Sequence, residues 1–142
     1  MEPGLNNKIN ITALKRIPTE KGDILHALKC SENDYKDFGE AYFSCVNKGS
    51  IKGWKKHSLM QLNLIVPLGN IKFYLFDEDF NSAHTIILGS NNYCRLMVKP
   101  GVWVAFEGVD ENNILLNIAS IEHNPDEAIN KPVEYFMKYF DK

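Results

Sequence analysis

Two runs rich in apolar, β-branched and aromatic residues, Leu59 to Val66 and Ile71 to Asp77, are separated only by Pro67-Leu68-Gly69-Asn70. Each run is strand-sized, and the proline, glycine and asparagine between them force a tight reversal, so the pair reads as a β-hairpin closed by the Gly-Asn turn. The rest of the chain repeats this grammar. Lys8 to Leu14 alternates weakly and stops before Pro18, which confines it to a sheet margin. Ile24 to Leu28, Gly39 to Asn47, Ile51 to His57, His84 to Leu88, Tyr93 to Val98, Val102 to Phe106 and Ile114 to Ala119 follow, with turn formers between them. About ten short strands at such regular spacing predict an all-β sandwich or barrel. Only the tail differs. Pro132 suits the first turn of a helix, and Val133, Phe136, Met137 and Phe140 form an apolar stripe at i, i+3, i+4 and i+7. One domain over residues 1–142 is expected, with residues 1–21 as an N-terminal arm and edge strand and 131–142 as a short C-terminal helix.

The chain has 142 residues and is 44% hydrophobic, enough for one core of ordinary size. Sixteen basic residues against eighteen acidic ones leave a net charge of −2, which argues against nucleic acid as a partner and makes any basic site local. No apolar run approaches the roughly 18 to 20 residues that cross a bilayer, and the N-terminus lacks a signal-peptide layout, so a cytoplasmic protein without a membrane partner is expected. Cys30, Cys45 and Cys94 are odd in number, lack CxxC spacing and sit in apolar contexts. They read as buried free thiols.

Chemistry concentrates in Lys52-Gly53-Trp54-Lys55-Lys56-His57. Alternation places Lys55 and His57 on one face of a strand and Trp54 and Lys56 on the other. A lysine beside a histidine can hold a phosphate or polarise a carbonyl while a proton is moved, although a solvated strand face is the plainer fate of such a run. Gln61, Asn63 and Asn117 interrupt strongly apolar strands, and buried amides need partners such as a polar pocket. Glu40 and Tyr42 share a face and are candidates for acid or orienting groups. Trp103 could stack on a ring or belong to the core. Arg95, one of two arginines, is a candidate for a bidentate anion contact. His26, His84 and His123 are scattered without ligand spacing and read as structural.

Gly39-Glu40-Ala41-Tyr42-Phe43-Ser44, Ile51-Lys52-Gly53-Trp54, the turn at Pro100-Gly101 and Leu115-Leu116-Asn117-Ile118 together resemble the RmlC-like cupins. These are the dTDP-4-dehydrorhamnose 3,5-epimerases and the related dTDP-sugar ketoisomerases, and the likeness runs from about Gly22 to Asn130. The resemblance implies a double-stranded β-helix of jelly-roll type, commonly dimeric, with a nucleotide sugar in the barrel mouth. The residues depart from the family pattern. The family's histidine after its Arg-Gly signature is replaced by Lys55, so that of a His-x-His only His57 remains. Val104 stands where another histidine often follows the Pro-Gly turn, and Asn117 falls near the position of the catalytic tyrosine. Metal-binding cupins need several converging histidines and an acid, so no metal and no other cofactor is expected.

On this resemblance the chain is expected to be an epimerase or isomerase of a dTDP- or other NDP-linked 4-keto sugar in glycan biosynthesis. His57 would be the base, Lys55 would stabilise the enolate and Tyr42 would serve as acid. Lys52 and Arg95 would hold phosphates, and Glu40, Gln61, Asn63, Asn117 and Trp103 would complete the binding site. The alternative is an accessory cupin that binds a nucleotide sugar without chemistry; a third reading is a structural barrel with a plugged mouth.

Overall fold

The computed structural model describes residues 7–140. Twelve strands form in chain order: β1 Ile9–Ala13, β2 Arg16–Ile17, β3 Ile24–Leu25, β4 Glu40–Cys45, β5 Ile51–His57, β6 Leu62–Leu68, β7 Asn70–Asp77, β8 Ser82–Gly89, β9 Cys94–Val98, β10 Trp103–Gly108, β11 Ile114–Ala119 and β12 Ala128–Lys131. A 3-10 turn, Pro125–Glu127, precedes β12, and helix α1 is Glu134–Met137. Two five-stranded sheets face each other, one in the order β1-β9-β6-β11-β4 and the other β12-β5-β10-β7-β8, while β2 and β3 pair separately. All pairings between the named strands are antiparallel. This is the expected jelly roll.

The predicted hairpin does not form. β6 pairs with β9 and β11, and β7 pairs with β8 and β10, so the turn between them carries the chain from one sheet to the other. Gly69 makes that corner with φ of 79°, and a β-carbon there would stand 2.2 Å from the Asn112 carbonyl oxygen. From β4 to β12 only β7 and β8 follow each other within one sheet. A chain that changes sheet at nearly every turn gives each strand one inward face. Ile71, Phe73 and Leu75 enter the core between the sheets with Leu64, Leu96, Val104 and Leu115.

The other face of β7 carries Tyr74 and Phe76, which join Trp54, Trp103, Ala105 and Phe136 in a second apolar cluster outside the second sheet. The C-terminal segment covers it. Phe136 stacks on Phe76 with ring centroids 4.8 Å apart and meets Trp54 edge-on at 5.4 Å, and the Trp54 indole N–H donates to the Val133 carbonyl at 2.8 Å. The apolar stripe therefore docks as expected, but α1 spans only Glu134–Met137: Lys131 belongs to β12, which pairs with β5, and residues 138–140 form turns. No sequence pattern marked β12. The cysteines are free but not buried: Cys30 and Cys45 are exposed and Cys94 is half-buried. Cys45 ends β4, an edge strand whose outer face is open to solvent.

Candidate active site

A cavity of about 300 Å³ lies between the two sheets. The first sheet lends it Tyr42 and Ser44 from β4, Leu62 and Leu64 from β6, and Leu115 and Asn117 from β11; the second lends Lys52, Gly53, Lys55 and His57 from β5 with Val104 and Phe106 from β10. One wall is thus hydroxyl, amide and leucine, and the other is cationic.

The cationic wall depends on a β-bulge. Lys55 is paired with Val104 and Lys52 with Phe106, and between these pairs β5 holds Gly53 and Trp54 while β10 holds only Ala105. In a regular strand Lys52 and Lys55, three residues apart, would face opposite ways; the extra residue turns Lys52, Lys55 and His57 to the same side. It also leaves Trp54 fully buried on the other side, under the C-terminal segment. Lys8, Lys48 and Lys56 have carboxylate partners, whereas among the described residues neither Lys52 nor Lys55 is engaged by one. Two uncompensated ammonium groups on one wall favour an anionic ligand.

His57 is held from behind. Its Nδ1 makes a short hydrogen bond with the Oε1 of Glu127, a residue buried at the end of the 3-10 turn that leads into β12. Asn124 caps this turn by accepting from the Asp126 N–H at 3.0 Å, and pairing of Ala128 with His57 sets the register that brings the carboxyl to the ring. The second carboxyl oxygen accepts from the backbone N–H of Leu59 at 3.0 Å and of Met60 at 3.1 Å. Burial alone would push this carboxyl up, but the hydrogen bonds from His57 and the two backbone N–H groups outweigh it and hold Glu127 below its ordinary range. An ionised Glu127 fixes the proton of the imidazole on Nδ1 and leaves Nε2 as the atom that faces the cavity. Glu127 had no signal in the sequence, since seventy residues separate it from His57 and only the fold joins them.

Opposite, the Asn117 amide Nδ2 donates to the phenol oxygen of Tyr42 at 3.0 Å, as their direct pairing between β11 and β4 requires. Five other residues selected from sequence do not line the cavity. Arg95, Gln61 and Asn63 lie on the outer face of the first sheet, beneath the loop between β3 and β4. There the Arg95 guanidinium donates to the Ala27 carbonyl at 2.8 Å, to Glu32 at 2.9 Å and to Asp34 at 3.3 Å, while Gln61 and Asn63 both donate to the Asp34 carbonyl. The nitrogens of both amides thus find a loop backbone rather than a ligand, while the Asn63 Oδ1 is buried without a partner. Trp103 is buried in the outer aromatic cluster, where its indole N–H donates to Glu78 at 2.6 Å. Glu40 is half-buried at the start of β4 and stands outside the cavity lining. Among the described residues no three His, Cys, Asp or Glu side chains converge as metal ligands would.

A jelly roll of two antiparallel sheets with a histidine and lysines lining its inner cavity defines an RmlC-like cupin. The chain belongs to the family described as FdtA: WxcM-like, C-terminal, whose model matches residues 7–140. Among solved structures it is similar to a dTDP sugar isomerase from Desulfovibrio desulfuricans G20, with 32% identity, coverage of 89% of this chain and 85% of that one, and a TM-score of 0.86. The QdtA sugar 3,4-ketoisomerase from Thermoanaerobacterium thermosaccharolyticum, in complex with TDP, shares the fold at 21% identity, with coverage of 93% and 91% and a TM-score of 0.75. So does the 3,5-epimerase RmlC from Legionella pneumophila Philadelphia 1, in complex with dTDP-4-keto-L-rhamnose, at 15% identity, with coverage of 92% and 75% and a TM-score of 0.80. No match was found among curated proteins.

Proposed function

We propose that this protein is an isomerase of a nucleotide-linked 4-keto sugar, dTDP-linked or carrying another nucleoside diphosphate, and that it works without metal or cofactor. The observation that carries the reading is the His57–Glu127 pair beside two uncompensated lysines on one wall, facing an apolar floor on the other. A ketone at C4 makes the C3–H bond acidic. His57 Nε2 takes that proton, and the electron pair moves onto the C4 oxygen, where the Lys55 ammonium stabilises the enolate. The C4 oxygen then gains a proton and the C3 hydroxyl loses one, relayed by the Tyr42 phenol. His57, whose Nε2 proton exchanges with solvent while the enediol is bound, then protonates C4, so the carbonyl has moved to C3 with no net change in composition. Lys52 would hold the diphosphate, a role its place in the cavity lining supports; Arg95 is withdrawn from that role by its place under the outer loop. The same constellation would epimerise a carbon if Tyr42, on the wall opposite His57, delivered the proton instead.

The test is proton exchange. With dTDP-4-keto-6-deoxyglucose in deuterated water, solvent deuterium is expected at a ring carbon, and NMR of the product separates a moved carbonyl from an inverted centre. His57→Asn should bind the sugar and exchange nothing. Binding by the unaltered protein with no exchange would overturn the enzyme in favour of the accessory cupin. The free cysteines support a reducing, cytoplasmic setting. The open edge of β4, with Phe43 67% exposed, supports a homodimer, which sedimentation equilibrium checks.

A further inference from the structure

Asn117 stands at mid-strand in a wall of leucines. It is 4% exposed, and its neighbours on the cavity face are Leu115 along β11 and Leu64 across to β6. Its Nδ2 is spent on Tyr42, but its Oδ1 is buried and accepts no hydrogen bond. A carbonyl oxygen stripped of water and left unpaired is costly, and proteins keep very few of them without a reason. Leucines beside it have no donor to offer, and the Lys52 and Lys55 ammonium groups sit on the other sheet. Of the buried side-chain polar atoms without a partner among the described residues, it alone belongs to a residue that lines the cavity, so a small turn of the amide presents it there.

The partner that fits is a neutral donor carried by the ligand. An uncharged amide oxygen among leucines suits an alcohol better than a cation, which would have to shed its water for a single dipole. The amide does a second thing. By donating into one lone pair of the Tyr42 oxygen, Asn117 leaves the phenol's own proton to be shared with the cavity. We infer that Asn117 determines specificity: its buried Oδ1 accepts one hydroxyl of the bound sugar ring, while its Nδ2 positions the Tyr42 phenol beside it. This deepens the nucleotide-sugar reading and rests on it. A site built around a hydroxyl rejects the analogue that lacks it, because the acceptor is then left dry and unpaired.

The experiment is calorimetric binding of dTDP-glucose and its 2-, 3-, 4- and 6-monodeoxy analogues, first to the unaltered protein and then to Asn117→Leu. One analogue is expected to bind the unaltered protein roughly tenfold or more weakly than dTDP-glucose. In Asn117→Leu that analogue and dTDP-glucose should bind alike. The leucine variant should also melt no lower than the original, since it replaces an unpaired buried amide by an apolar group of similar size. A purely structural asparagine would give the opposite pair of results, a lower melting temperature and unchanged discrimination. Equal binding of all analogues to the unaltered protein, or discrimination that survives in Asn117→Leu, overturns the assignment of Asn117 while leaving the nucleotide-sugar site standing. Failure of dTDP-glucose itself to bind overturns that site and this inference with it.

Discussion

At the scale of single residues the site turns on what stands behind His57. Glu127→Gln keeps the shape of the carboxyl but removes its charge, so the imidazole can settle with its proton on the wrong nitrogen. Turnover is expected to fall by about 10² to 10⁴, with nucleotide-sugar affinity little changed, as measured by single-turnover kinetics and calorimetry. The same carboxyl couples stability to pH. Its folded value lies below the ordinary 4.5, so the unfolded chain binds more protons at mildly acid pH. Its stabilising contribution is complete above 4.5 and disappears as pH falls through the lower folded value. Glu32, held down first by the Lys29 N–H and then by Arg95, shifts the same way, but its greater exposure weakens the effect. Denaturant titrations across that range should show a steeper acid loss in the original protein than in Glu127→Gln. The presence of Lys55, His57 and Tyr42 was legible in the sequence as residue types at strand spacing. Glu127 was not, because a buried acid after an Asn-Pro turn looks like any solvated loop residue until β12 pairs with β5.

At the scale of elements, two structures decide where side chains point. The first is the loop between β3 and β4, strapped across the outer face of the first sheet by Arg95, which is 1% exposed. Arg95→Met leaves Asp34 buried without its cation and should cost about 3 to 5 kcal/mol, read from urea denaturation, because removing one partner of a buried pair strands the other. Activity per folded molecule should be unchanged, since the strap is on the far side of the sheet from the cavity. The second is the corner at Gly69. Gly69→Ala brings a β-carbon into the Asn112 carbonyl on a backbone that already favours glycine, and a loss of roughly 1 to 3 kcal/mol is expected from the same measurement. The strands themselves were readable from alternation and turn residues, with the limits of β5 and β11 where the sequence put them. The bulge in β5 was not readable, and it alone explains why Lys52 joins Lys55 and His57. Alternation assumes one residue per step on each strand, and a bulge breaks that assumption with no fixed residue signature.

At the scale of the whole molecule, the outer aromatic cluster ties the C-terminal segment to β5. Trp54 neighbours Lys55 in sequence and Phe136 in space, so removal of residues 132–142 would uncover Trp54, Trp103 and Phe76 on the back of the cationic wall. A loss of several kcal/mol is expected from the exposure of three large aromatics, seen as a lower denaturation midpoint together with red-shifted tryptophan emission. By itself the sequence determined the fold class, the short strands and the sharing of one strand face by Lys55 and His57. Those follow from local rules: the two-residue period of a strand, the conformational freedom of glycine, and the apolar stripe of the tail. The tertiary structure alone decided which sheet each strand joins, and with it the fate of the polar residues. Arg95 and Asn63 sit in strands as apolar as the one that holds Asn117, and Gln61 just before one, yet they face a loop and Asn117 lines the cavity. Alternation tells two faces apart but not which face is covered by what, because that depends on partners tens of residues away.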